Sequence, residues 1–199
     1  MKPIRHLTLG LLLTGCAGFV DAIGFIVLGG YYTSFMSGNT TQLGTAGLMG
    51  TSIWLPLGLV AMFFIGSFIG SLIFIKSGRR GPFFVLVFVI ATMIAVLALA
   101  ASQVPITQAM LVLAAGAGAQ NATLPFSGGA RLGTTFVSGT LYSAGQDLAG
   151  AVAGTIPRWR WVQQLSVWAA LLLGALAGAI VHNAIGVNAV IVPGLVYLV

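Results

Sequence analysis

Asp21 and Asp147 are the only two acidic residues of the chain, and both sit inside stretches fit for a bilayer. A charge at the bilayer centre costs about 2.5–3.5 kcal/mol on insertion scales, so such a residue binds a cation, relays a proton or satisfies donors that have no other partner. Asp21 is accompanied by two polar turns of matching composition, Ser37-Gly38-Asn39-Thr40 and Ser138-Gly139-Thr140. Glycine admits a break in a helix, and Ser, Asn and Thr cap the helix that restarts. The N-terminus of such a half-helix presents partial positive charge, while the unwound carbonyls ahead of it can hold Na⁺ or protonated groups. No Lys or Arg lies deep in an apolar stretch. An anion would depend on dipoles alone and Asp21 would oppose it, so these residues favour a cationic or neutral solute, or proton coupling.

The two turns are copies of each other. Thr33-Ser34-Phe35-Met36-Ser37-Gly38 returns 101 residues later as Thr134-Thr135-Phe136-Val137-Ser138-Gly139, and a shift of 100 carries Gly18, Asp21 and Ala22 onto Gly118, Asn121 and Ala122. Internal duplication in a hydrophobic chain marks many transporter folds, whose sites lie where the repeats meet. In the second copy Asp21 becomes neutral Asn121, preceded by Gln120. Two readings of Asp21 stay open. Either it binds a cation or proton, a capacity its partner lost, or carboxylate and amide alike satisfy the first N–H groups of the half-helix after each Ser-Gly turn. The second reading explains the symmetry; the first explains why one member is ionisable.

The elements that must position these residues follow from composition. With 58% hydrophobic and 5% charged residues and a mean hydropathy of +1.07, the chain is far from the roughly 25% charge of a soluble domain. Apolar stretches at 7–29, 55–75, 82–101, 108–125, 161–181 and, more weakly, 184–199 approach the ~20 residues that cross about 30 Å of hydrocarbon. Six spanning helices are expected. Segments 35–50 and 136–154 begin with the duplicated motif and are too short or too polar to span comfortably. If both cross, Lys76, Arg79, Arg80 and Arg131 face away from Lys2, Arg5, Arg158 and Arg160; if both dip in and return, all eight basic residues share one face. The positive-inside rule prefers the second arrangement, with both termini cytoplasmic. Each half then holds three spans, an odd number, so the second copy is inverted and the two dips approach each other near the midplane. The expected fold is all-α: six transmembrane helices plus two re-entrant half-helix segments in a 3+3 inverted repeat, forming a single membrane domain over 1–199, with repeat 1 at about 7–101 and repeat 2 at about 108–199.

Other signals are less specific. Gly66-x-x-x-Gly70 and Gly174-x-x-x-Gly178 permit close helix packing, although 28 glycines make chance spacing common. Gln42, Gln146 and Asp147 are secondary pathway candidates. Asp147 could equally pair with Arg131, Arg158 or Arg160 near the cytoplasmic face. His6 and His182 lack metal-ligand spacing, and no Walker loop, dinucleotide fingerprint or nucleophile elbow is present. No catalytic residue, metal or cofactor is therefore expected. The basic residues are scattered and form no patch with aromatics, which argues against nucleic acid.

The run Gly18-Phe19-Val20-Asp21-Ala22-Ile23-Gly24-Phe25, followed by Phe35-Met36-Ser37-Gly38-Asn39-Thr40, Gly118-Ala119-Gln120-Asn121-Ala122 and Thr134-Thr135-Phe136-Val137-Ser138-Gly139-Thr140, closely resembles the YoaK-like family of bacterial integral membrane proteins. The resemblance covers nearly the whole chain and implies a small polytopic protein of the bacterial inner membrane. The family's function is unknown, so it assigns neither substrate nor site. Beside it, the residues themselves point to a small transporter or channel for a solute or ion, in the lipid bilayer, with a pathway between the dips lined by Asp21, Ser37, Gly38, Asn39, Thr40, Gln120, Asn121, Ser138, Gly139 and Thr140. Homo-oligomerisation stays open. The competing reading is a non-transporting scaffold or regulatory protein acting through helix faces. A polar cavity at depth with Asp21 in its wall separates the two.

Overall fold

The computed structural model describes residues 3–102, 104–123 and 137–198. Among these the regular elements are helices: α1 (Pro3–Val27), α2 (Met36–Met49), α3 (Trp54–Ser77), α4 (Gly81–Ala101), α5 (Ile106–Gln120), α6 (Val137–Val152), α7 (Arg160–Ile185) and α8 (Ile191–Val196). The expected motif residues Thr134, Thr135 and Phe136, with Arg131, lie outside the described residues. Helix ends follow the local chemistry. α1 stops at Gly29 and Gly30, whose φ values of 67° and 110° suit a residue without Cβ.

Three helical runs are long and apolar enough to cross a membrane: Leu7–Val27, Trp54–Ala101 and Arg160–Val196. The second is divided into α3 and α4 at Gly78, with φ 53°. Helix α5, within the expected 108–125 span, has only 15 residues, about 22 Å. It is buried from Leu113 to Gln120 on every side, which makes it the core helix of the bundle. The expected span over 184–199 is corrected. α7 runs on to Ile185, Gly186 turns the chain at φ 62° with its N–H returned to the His182 carbonyl, and a 3-10 stretch, Gly186–Val190, leads to an α8 of six residues. Six residues rise about 9 Å, so that stretch is not one spanning helix.

The two most extensive helix contacts are α1 with α7 and α3 with α5, and they are built alike. Gly174 and Gly178 press on Gly15 and Phe19, and Gly18 presses on Leu171 and Ala175. In the other pair Gly66 and Gly70 press on Ala115 and Ala119, and Gly118 presses on Phe63 and Ser67. A shift of 100 carries α1 onto α5, a shift of 108 carries α3 onto α7, and each contact maps onto its counterpart. In both pairs the residue numbers rise together, so the paired helices run parallel. A Cβ added at Gly18, Gly66, Gly118, Gly174 or Gly178 would fall on a backbone carbonyl of the facing helix, the close approach that small residues allow in membrane packing.

Packing divides the helices into α1, α6 and α7 on one side and α2, α3, α4 and α5 on the other. Gln120 ties the sides together: its Nε2 donates to the Leu13 carbonyl at 2.7 Å, and the Tyr197 hydroxyl donates to its Oε1 at 2.6 Å.

Replacing Gly66 or Gly178 by Leu should lower the melting temperature of the purified protein sharply, by the equivalent of about 1–3 kcal/mol or more from overpacking. Gly44→Ala, where a Cβ meets nothing within 4 Å, should be neutral or stabilising by up to about 1 kcal/mol from helix propensity. Thermal unfolding of the three variants checks the contrast.

Candidate functional site

Asp21 holds the end of a reversed chain. Its Oδ1 accepts the backbone N–H of Thr33 at 2.9 Å, the Thr33 hydroxyl at 3.0 Å and the backbone N–H of Ser34 at 2.6 Å. Its Oδ2 accepts the Ser34 hydroxyl at 2.6 Å. Asp21 lies six residues before the end of α1, about 9 Å below it, so the chain after Gly30 has turned back to that level before α2 begins. Helix α2 then climbs outward again: Gln42 Nε2 donates to the Gly30 carbonyl at 2.8 Å. Gly24, one turn from Asp21 on the same face of α1, leaves the room that Thr33 fills; a Cβ there would lie 2.7 Å from Thr33 Cγ2.

The remaining motif residues shape this turn. Asn39 is fully buried and clamps Tyr32 at both backbone groups, accepting its N–H at 3.0 Å and donating to its carbonyl at 2.6 Å. Gly38 makes room for rings, since a Cβ would stand 2.6 Å from Phe35 Cδ1 and 3.1 Å from Tyr32 Cε2. Phe25, Tyr32 and Phe35 therefore stack in series, with centroids 5.3 Å and 5.1 Å apart. Thr40, Thr41 and Thr45 turn their hydroxyls back to carbonyls of α2 itself, which satisfies them on an exposed face.

Above this turn lies a cavity of about 530 Å³, within the range of small-molecule sites. α1 contributes Gly18, Asp21, Ala22, Phe25 and Ile26 to its wall, the turn Tyr32, Ser34 and Phe35, α6 Ser138 and Leu141, and α7 Trp168, Leu171, Ala175 and Ala179. The wall is mostly apolar, with one carboxylate, hydroxyls and an indole. Among the described residues no Lys or Arg lines it.

Of the residues singled out from sequence, the cavity unites Asp21 and Ser138 only. The two short helices do not pack on each other: α2 and α6 share no contact among the described residues, because α2 packs on α3 and α6 on α7, although Phe35 and Ser138 line the same cavity. Ser37 and Thr40 are exposed and Asn39 faces inward to Tyr32, so helical phase keeps all three out of the cavity. Gln120 is buried in the joint described above, and Asn121 Nδ2 donates to the Ala117 carbonyl at 3.1 Å within its own helix. Gly139 is exposed and Thr140 buried at the start of α6. Gln146 donates to the Tyr142 hydroxyl at 3.0 Å. Asp147 pairs with Arg160, Oδ2 to Nε 3.4 Å, joining α6 to α7. Sequence reasoning missed Trp168. Its counterpart at a shift of 108 is Val60, so a break in the repeat, like that between Asp21 and Asn121, was the usable signal.

The family described as "Protein of unknown function (DUF1275)" matches residues 9–199. The chain belongs to this family. A relative within reach of the same conclusion is the UPF0700 transmembrane protein RA0705 of Rhizobium meliloti (strain 1021), 33% identical over 198 residues, covering 98% of this chain and 85% of that protein. No solved structure matches the chain. These similarities agree with the YoaK-like resemblance read from the motifs. This DUF1275 protein is thus an all-helical membrane protein, and the comparisons name no solute.

Asp21→Ala should strip two backbone N–H groups and two hydroxyls of their acceptor at once, costing on the order of 3 kcal/mol or more given about 1–3 kcal/mol per unsatisfied buried group. Asp21→Asn, which retains an acceptor oxygen, should cost about 1 kcal/mol. Equal melting temperatures for the two variants in detergent would remove the clamp from the fold's support.

Proposed function

We propose that this DUF1275 protein carries a small solute or ion across the membrane and that the Asp21 cavity is its binding site. One observation carries the reading: the cavity is walled by both halves of the chain and contains a carboxylate that no basic side chain neutralises among the described residues. A structural clamp alone calls for no space beside it. Binding groups at the junction of two repeats, beside broken helices, are the arrangement of many secondary transporters.

The finer architecture belongs to the same proposal. The twofold recurrence of the glycine contacts supports two repeats, and the Asp21–Thr33 and Gln42–Gly30 bonds support α2 as a segment that dips in and returns. With parallel α1 and α7 and every basic residue assigned to one face, the chain enters from the cytoplasm and its second half is inverted. The reading is of a carrier, because a carboxylate, hydroxyls and an indole bind and orient a solute without supplying an acid–base pair. The bacterial inner membrane is its proposed location.

Two experiments test this. Reconstituted in proteoliposomes, the protein should give saturable flux for at least one member of a panel of small cations, neutral solutes and protons. Ala179→Phe, which fills the cavity without touching the clamp, should lower that flux at least tenfold. Protein-independent flux for the whole panel favours the scaffold reading. For topology, in a Cys16→Ala background, Ser77→Cys should label from the cytoplasm and Thr51→Cys from outside. The reverse pattern means that α2 crosses the bilayer.

A further inference from the structure

We infer that the cavity is a site for an organic ammonium with an apolar body; this rests on reading the cavity as the binding site. The argument starts from unused capacity on Asp21. An ionised carboxylate offers about four acceptor positions; among the described residues Oδ1 takes three donors, whereas Oδ2 takes only the Ser34 hydroxyl. Oδ2 has room for a further donor, and among the described residues the cavity that Asp21 lines holds no side-chain cation to supply one.

The rest of the wall decides what kind of cation fits. Phe25, Tyr32, Phe35 and Trp168 line the same space; Tyr32 meets Phe25 at a tilt and Phe35 edge-on, with the room for Tyr32 and Phe35 provided by Gly38. Ring faces attract a cation within about 6 Å of their centroids, and Trp does so best. A bare metal ion would find a single carboxylate and too few oxygens, since Ca²⁺ takes about 6–8 oxygen ligands. An anion would meet the carboxylate and, among the described residues, no positive side chain. An alkyl- or arylammonium satisfies all three features: its N–H groups reach Oδ2 and neighbouring hydroxyls, its charge lies against the rings, and its carbon body covers the apolar wall. The rim agrees, because Phe25, Ile26 and Leu141 are 46%, 48% and 43% exposed and present a greasy entrance. An ammonium of this kind is found both on free amines and on the headgroup of an aminophospholipid.

The test uses the full chain in phosphatidylglycerol nanodiscs and three probes of similar skeleton: 3-phenylpropylammonium, 3-phenylpropan-1-ol and 3-phenylpropanoate. The ammonium should bind saturably and at least tenfold more tightly than the alcohol, with the carboxylate weaker still. Asp21→Asn should bring the ammonium down to the level of the alcohol while melting close to the native protein, and Trp168→Leu should weaken ammonium binding several-fold. If Asp21→Asn does not fold, Ala179→Phe is read instead and should abolish ammonium binding. Alcohol or carboxylate binding as tight as that of the ammonium, or ammonium binding unaffected by these substitutions, overturns the inference. Competition by added phosphatidylethanolamine assigns the site to a lipid headgroup and its absence to a free amine; both support ammonium chemistry. Saturable ammonium binding without flux would sink translocation and leave this site standing, whereas saturable flux of neutral or anionic solutes without ammonium preference would do the reverse.

Discussion

The four hydrogen bonds accepted by Asp21 are the constraint on which this structure depends. A chain that leaves α1 at Gly29 and turns back buries the backbone N–H groups of Thr33 and Ser34, and an unsatisfied buried group costs about 1–3 kcal/mol. Asp21 answers two of them and two hydroxyls with one side chain. The carboxylate thereby fixes where Thr33 and Ser34 stand, hence where α2 begins and which way it points. Asn39, by closing both backbone groups of Tyr32, fixes the other strand of the same turn.

The second constraint is steric. α1 against α7 and α3 against α5 approach so closely that backbone carbonyls occupy the place of a Cβ. Lipid supplies no hydrophobic drive between helices, so such contact is held by dispersion and fit. The glycines that allow it leave no latitude in register. Because α1 and α7 are locked in parallel, Ala175 and Ala179 stand near the level of Asp21, and Trp168 lines the same cavity nearer the start of α7. A clamp needed for folding and a cavity fit for a ligand thus share one carboxylate, whose two oxygens are unequally used.

Asp21 is where the two readings drawn from sequence meet. The capping role and the binding role were posed as alternatives, yet the geometry assigns the first to Oδ1 and leaves capacity for the second on Oδ2. Its partner Asn121 carries no charge, so the two halves differ in ionisable chemistry where they agree in packing.

The order of the helices, the two short segments and the glycine seams were legible in the chain, because they follow from local rules: apolar length, turn residues, and the spacing of small side chains. So was the importance of Asp21, since a carboxylate in apolar surroundings is never neutral to stability. What only the tertiary structure decided is which polar residues meet. Ser37, Thr40 and Gln120 read from sequence like pathway residues, but helical phase turned the first two outward and packing placed Gln120 between Leu13 and Tyr197. Trp168 read as one more apolar residue until parallel packing set it in the wall of the same cavity as a carboxylate 147 positions earlier in the chain. Such proximity arises from the register of two helices from different halves, and no local pattern encodes it.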